Sequence, residues 1–202
     1  MRTIGRLGVV TIAIIAGVLL LGGTCALTYN KLVRLDQASR AQWAQVENAY
    51  QRRADLIPNL VETVKGAAAF ERDTLIAVTN ARAKVGQVTM PEDITSNPDA
   101  LRQYQQAQDQ LGSAVGRLLV VAEAYPNLTA TQAFRDLQAQ LEGTENRITV
   151  ERMRFNETAR EFNSVRSTFP TSIVAALFGS KFAEKAYFTA AAGSDRPPRV
   201  EF

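Results

Sequence analysis

The chain contains no histidine. That removes the usual general base near neutral pH and the commonest metal ligand. It contains one cysteine, Cys25, which excludes an intramolecular disulfide, a Cys/His catalytic pair and a zinc site built from Cys and His. No Gly-rich phosphate loop, serine-elbow motif or metal-ligand cluster occurs. Glu142 and Glu145 lie three apart on one helix face, but helical di-metal sites rely on Glu-x-x-His. Such acids read instead as solvated faces and helix-pair salt bridges. Neither sign of charge dominates: 23 Lys+Arg against 20 Asp+Glu leave a net charge of +3. No basic run interleaved with aromatics appears, so nucleic acid is not an expected partner. No catalytic, cofactor-binding or metal-ligating residue is assigned, and no cofactor is expected.

What the chain does have is a long apolar run. From Leu7 to Leu27 no residue is charged, and Arg2 and Arg6 precede it. A bilayer core of about 30 Å needs about 20 apolar residues in a helix, so residues 7–27 fit a transmembrane anchor. A cleaved signal peptide competes, but its apolar core is normally about 7–15 residues. Cys25 also raises a lipoprotein signal. Thr24 departs from the small residue that normally precedes an acylated cysteine, and a plain apolar cysteine is the simpler reading. Arg2 and Arg6 on one side nearly balance Lys31, Arg34 and Arg40 on the other. A short basic tail favours the cytoplasm, which puts the larger part of the chain outside.

Helical periodicity governs the chain from Leu32 to Phe169. Trp43, Val46, Tyr50, Ile57, Leu60, Val64, Ala67, Val78 and Val85 follow the spacing of a bundle-facing stripe. The spacing predicts one helix over residues 28–85, about 85 Å long, continuing from the apolar run. Pro58 lies inside it, where proline removes an N–H and costs roughly 3 kcal/mol. The chain must either bend there or offset the loss nearby. Met90 to Pro98 is turn-rich, and Asn97-Pro98 is a strong helix start. A second helix then reaches about Tyr125, where Pro126 and Asn127 stop it.

The third helix begins near Thr129 or Thr131. Phe134, Leu141, Ile148, Phe155, Phe162 and Phe169 repeat every seven residues, which predicts coiled-coil-like packing. Leu137 and Val165 fill the second seam position, but Thr144, Glu151 and Thr158 interrupt it. Arg53 interrupts the stripe of the first segment between Tyr50 and Ile57. One explanation is that Arg53 snorkels out of the bundle. The other is a polar layer in which Arg52 and Arg53 face Glu142, Glu145, Asn146 and Glu151, fixing register. After Phe169-Pro170, Thr171-Ser172 caps a short apolar element, Ile173–Phe178, closed by Gly179. Residues 171–188 read as a fourth packing helix or as an interfacial segment with Lys181 and Lys185 near lipid phosphates. Residues 193–202 read as an exposed, extended tail.

These residues resemble the LemA family of bacterial membrane proteins. The most specific block runs Trp43-x-x-Val46-x-Asn48-x-Tyr50-Gln51-Arg52-Arg53-x-Asp55-Leu56-Ile57-Pro58-Asn59-Leu60-Val61. Tyr29-Asn30-x-Leu32-Val33, Ala124-Tyr125-Pro126-x-Leu128, Glu145-Asn146-Arg147-Ile148, Arg152-x-x-Phe155-Asn156, Phe169-Pro170 and Pro198-x-Val200-x-Phe202 also match. The resemblance implies an all-helical four-helix bundle of up-and-down type, held in the bacterial cytoplasmic membrane by a single pass. It implies no enzymatic activity.

The resulting expectation is an all-α chain in three parts: an N-terminal tail and transmembrane helix (1–27), an elongated antiparallel four-helix bundle (28–190) and an extended tail (191–202). Its partners are the lipid bilayer, through residues 7–27, and either further copies of itself or another membrane protein. Its expected role is a non-enzymatic membrane scaffold or adaptor, with the bundle on the outer or periplasmic side. Two alternatives stand beside it: a lipid-binding or membrane-remodelling module using residues 171–188, and a hydrolase using carboxylates.

Overall fold

The computed structural model describes residues 2–66 and 71–189, and these contain six helices and no strand. In chain order they are α1 (Arg2–Lys65), α2 (Arg72–Gln87), α3 (Pro98–Ala122), α4 (Pro126–Thr129), α5 (Gln132–Ser167) and α6 (Thr171–Leu177). Two 3-10 turns, Ile94–Ser96 and Gly179–Phe182, join them. The chain is all-α, as its periodicity predicts. The tail at 193–202, residue Ala67 of the stripe and the closing Pro198-x-Val200-x-Phe202 lie outside the described residues.

The first helix does run without interruption from the apolar stretch into the bundle. Among the described side chains of its N-terminal part none is fully buried: Val9, Ile12, Leu19, Leu21 and Leu27 stand exposed, and Cys25 is half-buried. This stretch is long and apolar enough to cross a membrane. From Leu32 onward the same helix buries a stripe of Leu32, Trp43, Val46, Tyr50, Ile57, Leu60 and Val64.

The predicted single helix over 28–85 is two helices. α1 stops at Lys65, and α2 starts at Arg72 after a turn at Gly66. The reversal brings Val78 and Ala81 back onto Ile57, Leu60 and Val64 of α1. Periodicity missed the break because both arms bury the same kind of stripe. Pro58, by contrast, does not interrupt α1. It is exposed, and the Ala54 carbonyl that it leaves without an amide accepts a hydrogen bond from Arg82 Nε of α2 at 3.4 Å. The returning helix thus supplies part of what proline removes.

The start of α3 is as read: Asn97 Oδ1 accepts from the Ala100 amide at 3.1 Å, and Pro98 takes the first helical position. α3 ends at Ala122, and Pro126 opens the short α4 that turns the chain into α5. Thr131 caps α5 through its hydroxyl, which accepts from the Phe134 amide at 3.3 Å. Four helices, α1, α2, α3 and α5, therefore alternate in direction and share a core. Its outer cluster joins Ile57, Leu60 and Val64 to Val78, Leu111, Val115, Phe134 and Leu141. Its middle cluster joins Trp43, Val46 and Tyr50 to Leu101, Tyr104, Ile148 and Phe155. Its inner cluster, nearest the apolar stretch, joins Leu32 to Phe162, Val174, Ala175 and Phe182.

The seven-residue seam of α5 is buried from Phe134 to Phe162. Phe169 departs from it: α5 ends at Ser167, and Phe169 is 82% exposed. Residues 171–188 also depart from the fourth-helix reading. Helix α6 is only seven residues long, and after the turn at Gly179–Phe182 residues 183–189 form an extended strap.

Three side-chain amides hold the strap, each binding its backbone in both directions. Asn163 donates to the Lys185 carbonyl and accepts from the Lys185 amide, both at 2.8 Å. Asn156 does the same with Phe188, both at 2.9 Å. Gln105 donates to the Thr189 carbonyl at 2.6 Å and accepts from its amide at 3.2 Å. A lone extended segment has no sheet partner, and these amides satisfy its backbone instead. The Ala186 amide completes the set by donating to the Thr95 carbonyl at 2.8 Å. Phe188 then stacks on Trp43, with ring centroids 5.8 Å apart.

Replacing Asn163 by Ala strands two strap backbone groups, so unfolding stability should fall by about 2–4 kcal/mol. Hydrogen exchange should accelerate first at the Lys185 amide and only later in the middle of α5. Exchange at Lys185 indistinguishable from the parent would show that Asn163 does not hold the strap.

Candidate functional site

The feature that sets this bundle apart from a plain apolar one lies at mid-height. Arg53, on the buried stripe of α1, has 2% of its side chain exposed. Its Nη1 reaches both oxygens of Glu145 on α5, at 2.9 and 3.2 Å. Its Nη2 donates to the Gln108 carbonyl of α3 at 2.9 Å and also to the Gln108 side-chain oxygen. Gln108 passes the network on, donating from Nε2 to the Tyr104 hydroxyl at 2.9 Å. The guanidinium carbon sits 5.5 Å from the Tyr50 ring centroid, a cation–π distance. The Arg53 Nε is buried without a hydrogen-bond partner.

The predicted polar layer therefore exists, with a different membership. Glu145 meets Arg53. Glu142 and Asn146 are exposed, and Glu142 accepts from Gln138 of its own helix. Arg52 is exposed as well. Glu151 is buried but serves another contact, accepting from Gln42 Nε2 of α1 at 2.7 Å. Gln108 escaped sequence reasoning because a helix carries many glutamines, and nothing in spacing marks the one that turns inward; Tyr104 lies on the apolar stripe that spacing gives the second helix, and its hydroxyl joins the network through Gln108. Glu145 keeps 43% of its side chain exposed, so solvent screens the ionic part. The uncharged contacts to Gln108 carry a correspondingly larger share in holding the buried cation.

A second arginine shares Tyr50 with the first. Arg152 of α5 donates from Nε to the Tyr50 hydroxyl at 2.6 Å and from Nη2 to Asp109 of α3 at 2.7 Å. Its guanidinium also lies over the rings of Tyr50 and Phe188, at 5.3 and 5.2 Å. Tyr50 thus sits between two guanidinium groups on different helices. Burial pushes its phenol well above the ordinary range, more than the neighbouring Arg152 charge lowers it. Tyr50 therefore stays a neutral acceptor for Arg152 rather than a source of protons.

A third ionic contact lies toward the apolar stretch. Lys185 of the strap, almost fully buried, places Nζ 2.6 Å from Asp36 of α1 and 3.2 Å from the Ser96 hydroxyl. Its ammonium also lies 5.2 Å from the Phe162 ring centroid. The reading of Lys185 as a lipid-phosphate contact is corrected by this burial. Two open-sided grooves flank the network. One of about 490 Å³ runs between α2 and α3 past Thr74, Gln106, Asp109 and Arg117. The other, of about 500 Å³, borders the strap at Arg102, Gln105 and Tyr187. Taken together, these groups are matched cations, acids and amides that lock helices to one another.

Comparison with known proteins agrees with the resemblance read from the motifs. The family model described as the LemA family matches residues 42–202. Magnetosome protein MamQ 1 of Paramagnetospirillum magneticum is 26% identical over 193 residues, covering 86% of this chain and 69% of its own. Magnetosome protein MamQ of Magnetospirillum gryphiswaldense is 26% identical over 190 residues, with the same shares of each chain. Protein LemA of Metamycoplasma hominis is 25% identical over 150 residues, covering 72% of this chain and 63% of that protein.

Two glycines of α3 measure how tightly the Arg53 layer is closed. A Cβ on Gly112 would lie 3.0 Å from Arg53 Nη1, whereas one on Gly116 would meet nothing within 4 Å. Gly116→Ala should raise stability by up to about 1 kcal/mol through helix propensity. Gly112→Ala carries the same propensity gain but must displace a pinned guanidinium. It should come out net destabilising by about 1–3 kcal/mol. Thermal melts of the two variants with equal shifts would show that the layer is loose.

Glu47 supplies a pH test. Burial raises its carboxyl above the ordinary value, against the opposing hydrogen bond from the Trp43 indole. The folded chain therefore favours the neutral acid, and stability is lost as pH rises through the folded-state pKa. Glu47→Gln should raise Tm near neutral pH. The gain should vanish once pH falls below the ordinary carboxylate range, where both folded and unfolded chains are protonated. A gain that is independent of pH would assign the effect to something other than this carboxyl.

Proposed function

The chain belongs to the LemA family, and from that membership and its architecture we propose that it is a membrane-anchored helical scaffold that works by binding rather than by catalysis. The observation that carries this reading is the continuity of α1. One unbroken helix of 64 residues has an exposed apolar end and an end packed into the bundle core. From residue 28 to Lys65 it extends about 57 Å at 1.5 Å per residue. The division into an anchor (1–27) and a bundle (28–190) is thus one of surroundings, lipid against protein, along a single rod. Such a rod holds the far end of the bundle at a set height above a bilayer. The contacts of buried Arg53 and half-buried Arg152 support the same role, because they resist sliding of one helix past another.

In this reading the anchor passes once through the bacterial cytoplasmic membrane, and the bundle stands on the outer or periplasmic side. Its ligand is a protein: either further copies of the chain or a membrane protein held beside it. Cross-linking of the full chain in native membranes, followed by mass spectrometry, tests this. A discrete adduct is expected, either a multiple of the chain's own mass or the chain plus one membrane protein. Recovery as a monomer alone would count decisively against a scaffold.

A further inference from the structure

At the end of the bundle nearest the apolar stretch, helix α6 carries two apolar faces. One face, Thr171, Val174 and Ala175, is buried against α1 and α5. The other is not covered. Ile173 and Leu177, one turn apart, are 54% and 74% exposed, with Phe169 before them at 82% and Phe178 after them at 44%. Four large apolar side chains thus crowd ten residues of surface. A patch of this kind normally marks a contact.

The position of the patch says what covers it. The uncharged run of α1 ends at Leu27, and Tyr29, two residues further on, meets the residues that directly follow α6. The Tyr29 ring lies 4.8 Å from Phe178 and 5.5 Å from Phe182. Two residues of helix rise by about 3 Å, so α6 sits level with the end of the apolar run. Tyrosine at that height is typical of a membrane–water boundary. Lys181, exposed beside the patch, donates to the Tyr29 hydroxyl and lies 5.0 Å from that ring. A cation flanking an apolar face matches a phospholipid surface, with acyl chains beneath and phosphates beside.

We propose that α6, with Phe169 and Phe178, lies in the headgroup–acyl boundary of the same leaflet from which α1 emerges, as a second contact with lipid. The contact is limited to residues 169–181. The strap that follows is occupied with the bundle, through Lys185, Ala186 and Phe188. The inference rests on residues 7–27 being the membrane anchor. Two contacts at one height would fix the rotation of the bundle about α1 as well as its depth.

The test uses the full chain in phosphatidylcholine–phosphatidylglycerol vesicles whose acyl chains are brominated. Single tryptophans are introduced as Leu177→Trp, Met153→Trp and Leu19→Trp, and the constant signal of buried Trp43 is subtracted. Leu177→Trp should be quenched at least about twofold more than Met153→Trp, which lies exposed on α5 well away from the boundary. Leu19→Trp reports the anchor. Quenching at Leu19 with Leu177 no more quenched than Met153 overturns the α6 contact and leaves the anchor standing. Absence of quenching at both overturns both. A blue-shifted but unquenched Leu177→Trp emission would put protein, such as a second copy of the chain, on the patch and equally overturn the lipid contact.

Discussion

The constraint on which the bundle depends is the burial of the Arg53 guanidinium. A charge with 2% exposure tolerates very few arrangements of its neighbours. Glu145 must come from α5 and Gln108 from α3, and both must arrive at the level of Arg53 on α1. Sliding any of these helices by one turn, about 5.4 Å, would leave the cation among apolar groups. Apolar packing alone does not enforce this, because a seam of Leu, Ile and Phe is nearly as content one heptad away. Arg152 repeats the arrangement next door, joining α5 to Tyr50 of α1 and Asp109 of α3. Register in this protein is thus set by polar groups, and adhesion by apolar ones.

The strap solves a different problem. A chain that leaves a helical bundle in extended form carries amides and carbonyls with no partner of their own. Here Asn156, Asn163 and Gln105 act as a ladder of side-chain amides, each reproducing what a neighbouring strand would offer. Asn156 and Asn163 stand two turns apart on α5, so the helix period places them along one line facing the strap. Phe188 and Lys185 then fill the space between, one against Trp43 and the other against Asp36. The result ties the chain beyond α6 back to the middle of the bundle.

How much of this could be read from the sequence depended on whether one residue or two helices carried the signal. The buried seam from Phe134 to Phe162 was legible because five residues repeat at one interval. The start of α3 was legible because Asn97 and Pro98 act locally. Arg53 was legible as an anomaly, and Glu145 as one of several acids able to answer it. Gln108, Gln105 and Asn163 were not, and Arg152 and Asn156 stood out only as matches to the family pattern without a role, since polar residues on helices look alike until a neighbouring segment gives some of them partners. The turn after Lys65 was hidden by two stripes of the same period on either side. Phe169 continued the heptad on paper after the helix had ended. The fold class came through whole, whereas the candidate site came through only as the positions where the apolar pattern failed.

Continuity of α1 has a mechanical consequence. A hydrophobic segment adapts to bilayer thickness chiefly by tilting, on average by about 20°. A hinge at the membrane surface would absorb that tilt, but α1 passes from its apolar stretch into the core with no break at residue 27. In the reading proposed above, with residues 7–27 in the bilayer, the bundle leans with that segment. Over a lever of about 57 Å, a 20° lean carries the far tip sideways by roughly 20 Å. Bilayer thickness would in this way be converted into the lateral reach of the bundle, with no moving part between them.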